Sequence, residues 1–230
     1  MLLSAPTFDL LHERLPDINV PVPARPAPRG TSPEIYSVVR LLGSVPLTLN
    51  DFPLRLVKGE RPDFTLHLGD RSIGIEHTEA VPENVAHENT LRAAIGQDVY
   101  LMRGAVVGEP RKSKAQLLAE IKEDRMPPPM MGDSVERGWA EAMAHFVNSK
   151  VVSARKPGYA RHDAHWLAIY DNWPAPALQR HRALMLLRER LAAGEGFDVF
   201  ERIFILDERV LVALDRDRTL LHLVNHCRRR

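Results

Sequence analysis

The segment from Arg61 to Glu79 constrains the fold more than any other part of this chain. It reads as two short strands around Gly69-Asp70, a dipeptide suited to a two-residue hairpin because glycine takes φ > 0 at the first central position. With that turn, Leu68 faces Arg71, Leu66 faces Ile73 and Phe64 faces Ile75. Phe64, Leu66, Leu68, Ile73 and Ile75 then share one face, as a half-buried hairpin requires. The same register sets Asp63 opposite Glu76 on the other face. Facing Cβ atoms lie roughly 4.5–5.5 Å apart. Two facing carboxylates repel, so the pair calls for a cation between them, and a divalent metal ion fits that need.

Pro62-Asp63, then twelve residues, then Glu76-His77-Thr78 resembles the PD-(D/E)XK nuclease superfamily, with Thr78 where that family carries a lysine. The resemblance implies an α/β fold: a central mixed sheet flanked by helices, with an αβββαβ core. It also implies metal-dependent cleavage of phosphodiester bonds, with Asp63 and Glu76 as acidic ligands of Mg²⁺ or Mn²⁺ and the backbone carbonyl of His77 as a further ligand. Glu34, on the first core helix, is a candidate extra acid; by sequence it also suits a helix cap reaching back to Thr31. Thr78 lies on the face of Glu76 and brings a hydroxyl but no positive charge. Either a lysine reaches in from elsewhere or the site is inactive. Lys150 borders the apolar stripe of a long helix and is one candidate replacement; Lys112 and Lys114 are others, and His145 is an alternative base. The His77 side chain points to the apolar face and reads as a core-edge histidine.

The remaining pattern is compatible with that core. Thr31-Ser32-Pro33-Glu34 has the spacing of a capping box and predicts a helix over 33–43, stopped by Gly43. Residues 52–58 read as a strand ahead of the hairpin. Helices over 82–98 and 112–124 form an insertion spanning about 80–132. A second capping-box spacing, Asp133 to Glu136, opens a long helix over 134–155, with Trp139, Met143, Val147 and Val151 at helical spacing. A strand over 165–171, a helix over 176–193 and extra strands between 204 and 214 complete the chain. The tryptophans read as packing residues, with base stacking open to Trp173 in its Asn-Trp-Pro loop.

Residues 1–30 read as an N-terminal arm, with four prolines between Pro21 and Pro28 favouring an extended run along the surface or onto a second subunit of a homodimer. Residues 31–230 read as one domain. A net charge of +1 says little about partners, whereas 25 Arg against 6 Lys suits phosphate contact and also fits a bias of the genome toward Arg codons. The single cysteine, Cys227, excludes an internal disulfide and a cysteine-based zinc site. The sequence contains no apolar run long enough to cross a membrane and no signal-peptide pattern, so a cytoplasmic setting is expected. The expected partner is nucleic acid, DNA before RNA. The rival expectation is an inactive nuclease-like domain that binds nucleic acid or a protein. No Gly-X-Ser-X-Gly elbow, Walker A loop or dinucleotide-binding glycine pattern is present.

Overall fold

The structure, a computed structural model, describes residues 1–18, 32–97, 104–123 and 130–225. The proline-rich part of the arm, Thr31, Cys227 and the arginine tail lie outside these residues.

Eight strands form one mixed sheet in sequential order: β1 (Leu3–Ala5), β2 (Leu54–Lys58), β3 (Phe64–Leu68), β4 (Arg71–Ala80), β5 (Ala164–Asp171), β6 (Arg202–Leu206), β7 (Val210–Leu214) and β8 (Thr219–Leu223). Pairing is antiparallel on both flanks, through short connections from β2 to β4 and from β6 to β8, while β1 reaches β2 only after α1 and α2. The central strands β4, β5 and β6 are parallel, which requires long crossovers. Helices supply them. α3 (Glu83–Ala94), α4 (Lys114–Glu123) and α5 (Ser134–Ala154) separate β4 from β5, and α6 (Arg180–Ala192) and α7 (Gly196–Val199) separate β5 from β6. α1 (Phe8–Arg14) and α2 (Pro33–Ser44) precede β2. From α2 onward the elements run helix, three strands, the α3–α4 insertion, helix, strand.

The sheet is covered on both faces. On one, Tyr36, Val38, Val39, Leu41 and Leu42 of α2 pack with Phe64, Leu66, Ile73, Ile75, Trp166 and Phe204. On the other, Trp139, Met143, Val147 and Val151 of α5 pack with Leu167, Ile169, Ile203 and Ile205 and with Leu184 and Leu187 of α6. β5 therefore buries alternate residues in opposite cores, as a central parallel strand does. Residues 1–18 belong to this architecture: β1 pairs with β2, and Leu3, Ala5, Leu11 and Leu15 are buried in the first core. α3 and α4 share a small cluster of their own around Leu91, Leu117 and Ile121. Among the described residues no helix is long and apolar enough to cross a membrane.

The hairpin register is the expected one, with Phe64 opposite Ile75, Leu66 opposite Ile73 and Leu68 opposite Arg71. Gly69 has φ +56°, and a Cβ on it would come within 2.8 Å of the Asn50 carbonyl, so the turn needs glycine there. Several boundaries differ from the sequence reading. α2 passes through Gly43 and ends at Ser44, because Val45, ahead of Pro46, adopts an extended conformation. The capping box at Asp133 does not form. The Asp133 carboxylate instead pairs with Arg137 and Arg182, and Glu136 accepts from the Gln179 backbone N–H at 3.0 Å. α6 starts at Arg180, after the left-handed Ala177 (φ 55°). β8 was not expected; its leucines Leu220, Leu221 and Leu223 are exposed along the sheet edge.

Candidate active site

Asp63 stands immediately before β3 and Glu76 in the middle of β4, on the sheet face covered by α5. β3 pairs with β4 only as far as Phe64 and Ile75. Beyond that point the Asp63 side chain replaces the missing strand: its Oδ2 accepts the His77 backbone N–H at 2.7 Å. The N–H and C=O of a strand residue point toward the same neighbour. The His77 carbonyl therefore faces the same side as Asp63.

A lysine completes the group. Lys150, from the fifth turn of α5, places Nζ 2.8 Å from Glu76 Oε2 and 4.0 Å from Asp63 Oδ2. Val147 and Val151 are buried beneath α5, and a helix turns about 100° per residue, so Lys150 falls at the edge of that apolar stripe with its stem along the core and its ammonium over the sheet. Asp63, Glu76 and Lys150 line a cleft of about 210 Å³ together with Arg61, Lys156 and Tyr159.

Burial pushes the Asp63 carboxyl above its ordinary value; the neighbouring Glu76 and Glu34 charges add to this, while the His77 amide and Lys150 oppose it. Glu76 is buried with only 5% of its surface accessible, and the ammonium is its direct partner. Such a pair of acids takes up a cation readily, since each charge raises the energy of the other. Among the described residues no group of three His, Cys, Asp or Glu side chains is arranged around a metal position. The donors are two carboxylates, with the His77 carbonyl on their side. This hard-oxygen set fits Mg²⁺ or Mn²⁺, which take one or two carboxylates and fill their other positions with water.

The other candidates are placed differently. The His77 ring lies on the opposite face, with Nε2 3.0 Å from Ser37 Oγ of α2; burial, aided by the Lys150 charge, pushes its pKa down to about 3, so it is a neutral packing group. Glu34, in the first turn of α2, pairs with Lys58 at 3.3 Å and does not line the cleft, although its charge reaches Asp63. Its capping role passes to Ser32, whose Oγ accepts from the Ile35 N–H. Thr78 follows Glu76 by two residues on the same face, half-buried and outside the lining of the cleft. Lys112 is held by Glu109 and Glu120, away from the acids. His145 lines a separate pocket.

Sequence reasoning missed Tyr159. Its hydroxyl is buried within reach of Glu76 but outside the geometry of a normal hydrogen bond, and burial together with the Glu76 charge and contact and the Asp63 charge holds its pKa above the ordinary phenol value. It also missed His162 and His165, whose rings meet edge-on at 5.7 Å over Gly74, with His165 Nδ1 and His162 Nε2 unpartnered. Tyr159 and His162 lie between α5 and β5, where no periodicity marks a residue as inward-facing, and His165 is the second residue of β5. No protein-family model, curated protein or solved structure matches the chain.

Proposed function

We propose that this protein is a metal-dependent nuclease of the PD-(D/E)XK type, hydrolysing phosphodiester bonds in nucleic acid, DNA in the first instance, in the cytoplasm. The observation that carries the reading is the reach of Lys150 from α5 to Glu76 and Asp63, which brings an ammonium group to the acids that Thr78 leaves without one. The succession of a helix, three strands, a helix and a strand supports it.

Asp63, Glu76 and the His77 carbonyl would hold Mg²⁺ or Mn²⁺. Bound there, the ion supplies Lewis-acid stabilisation of the phosphoryl oxygens and an acidified water. The chain's own groups do the rest. Lys150 gives up its ion pair with Glu76 and turns its ammonium to the attacking water or to a non-bridging oxygen. Arg61 and Lys156, at the wall of the cleft, hold the flanking backbone, a contact that weakens with salt. Tyr159 offers a protonated hydroxyl to the reacting centre.

A second reading is a nuclease-like module that binds nucleic acid or a protein without cleaving. The 2.8 Å Lys150–Glu76 pair favours it, because it already balances the buried acid with no metal. Incubation with plasmid, linear and single-stranded DNA and with RNA in Mg²⁺ or Mn²⁺ tests both readings, beside the Asp63→Ala/Glu76→Ala double variant. Cleavage that the double variant abolishes supports the nuclease; cleavage that persists removes the site. Calorimetric titration with Mn²⁺ separates the module, which gives no heat that depends on Asp63.

A further inference from the structure

A second pocket, of about 320 Å³, opens just past the end of β4, at Val81 and Pro82. Phe146 of α5 and Trp173 of the loop after β5 form one wall, with ring centroids 6.4 Å apart at 72°. Both rings are partly buried against the α5 core. The loop bearing Trp173 is fixed at its start, because Asp171 accepts the Trp173 backbone N–H at 3.1 Å and the Trp139 indole N–H at 2.7 Å. Arg111 also lines the pocket, on a segment pinned by the buried Asn84, which donates to the Pro110 carbonyl at 2.9 Å and accepts the Lys112 N–H at 2.9 Å. The walls are thus held in place before any ligand arrives.

The position of this pocket relative to the acids gives it meaning. Phe146 and Lys150 are four residues apart on α5, hence neighbours on one face and about 6 Å apart along the axis. One lines the aromatic pocket and the other the acidic cleft. Thr78 lies between Glu76 and Ala80 on the sheet face below them. From Glu76 to Ala80, where the pocket begins, is about 13 Å along β4, a span that a short stretch of extended single strand bridges. The Glu83 carboxylate also lines the pocket, which disfavours a phosphate beside it and suits the amino and imino edges of a base; Glu109 lines it while paired with Lys112 at 3.1 Å. Indole and guanidinium both offer flat faces for stacking.

We propose that this pocket is a nucleobase subsite for a single strand whose phosphodiester lies at Asp63 and Glu76, an inference that rests on the nuclease reading above. Single strands are the implied substrate class, because a paired base enters such a pocket only after unpairing and unstacking, at a cost of a few kcal/mol.

The test is binding of an oligothymidylate, and of the same strand annealed to its complement, in metal-free buffer. Tryptophan fluorescence and anisotropy of a labelled strand are read together. Trp139 and Trp166 are buried, so quenching reports Trp173. The expected result is quenching by the single strand, an affinity at least tenfold weaker for the duplex, and a loss of about 5- to 150-fold in single-strand affinity for Trp173→Ala. Trp173→Phe keeps a stacking face and should retain most of the affinity while losing the quenching. Arg111→Ala should weaken single-strand binding severalfold. Equal affinity for duplex and single strand, or unchanged affinity in a folded Trp173→Ala, overturns the subsite. If that happens while cleavage still requires Asp63 and Glu76, the nuclease stands and the subsite alone fails. If the single strand binds and quenches as expected but no Asp63-dependent cleavage occurs, the subsite stands and the nuclease fails.

Discussion

Lys150 Nζ lies 2.8 Å from Glu76 Oε2 across a separation of 74 residues, and it is the contact through which α5 addresses the hairpin face. Replacing Lys150 with methionine keeps the apolar stem but leaves the Glu76 carboxylate buried without a counter-charge. Because the lysine is about a quarter exposed, the expected loss is about 2 kcal/mol, below the range for fully buried pairs. Glu76→Gln in the same background should recover most of it. Urea unfolding of the two single variants and the double variant measures the coupling, and additive losses would show that the contact contributes nothing.

Tyr159→Phe removes a buried hydroxyl that lies against Glu76 without a well-formed hydrogen bond. Stability should change by no more than about 1 kcal/mol, since only a poorly aligned contact with Glu76 is lost. If the hydroxyl serves the reacting centre, cleavage by the same variant falls about tenfold or more. Thermal unfolding paired with single-turnover cleavage separates the two effects.

Gly74 lies between Ser72 and Glu76 on the acid face. A Cβ there would meet His165 Nδ1 at 2.7 Å, His162 Cδ2 at 2.8 Å and Pro62 Cγ at 2.9 Å. Gly74→Ala should destabilise by about 1–3 kcal/mol and weaken Mn²⁺ binding, because Pro62 adjoins Asp63. A variant as stable as the parent, with unchanged calorimetric titration, would show that the three side chains yield freely.

Asp171 gives a pH dependence of defined sign. Burial pushes its carboxyl up to about 6 from an unfolded value near 3.8, against the hydrogen bonds from Trp139 and Trp173. The folded chain therefore holds this proton more tightly than the unfolded chain. The associated stability is complete below about pH 4 and is lost as the pH rises through about 6, by up to about 3 kcal/mol. Comparing wild type with Asp171→Asn in denaturant between pH 4 and pH 7 isolates it: the parent should lose ground steadily relative to the variant. Parallel curves would place the Asp171 pKa near its ordinary value.

The parts legible in the sequence were those where periodicity and turn chemistry agree. Gly69-Asp70 and the alternation from Phe64 to Ile75 set the register, and the register alone put Asp63 and Glu76 on one face. The stripe Trp139, Met143, Val147, Val151 marked α5 in the same way. β8 left no such trace, because it is exposed on both faces and its leucines follow no inside–outside rhythm. The capping box at Asp133 misled because spacing cannot tell a cap from a carboxylate that finds an arginine 49 residues away. Lys150 was visible only as one of several lysines, since its contact depends on how α5 crosses the sheet. Tyr159 was invisible, because an aromatic residue in a connection carries no signal of where it faces.

The buried side of α5 has an effect on its other side. Trp139, Met143, Val147 and Val151 fit against β5 and α6 in one rotational setting. A small roll of the helix about its axis would carry the ammonium of Lys150 away from both acids. Hydrocarbon packing thus acts as the bearing on which the polar end of the cleft is aligned. Substitutions deep among these aliphatic side chains, far from any ionisable atom, would retune the charge balance at Asp63 and Glu76.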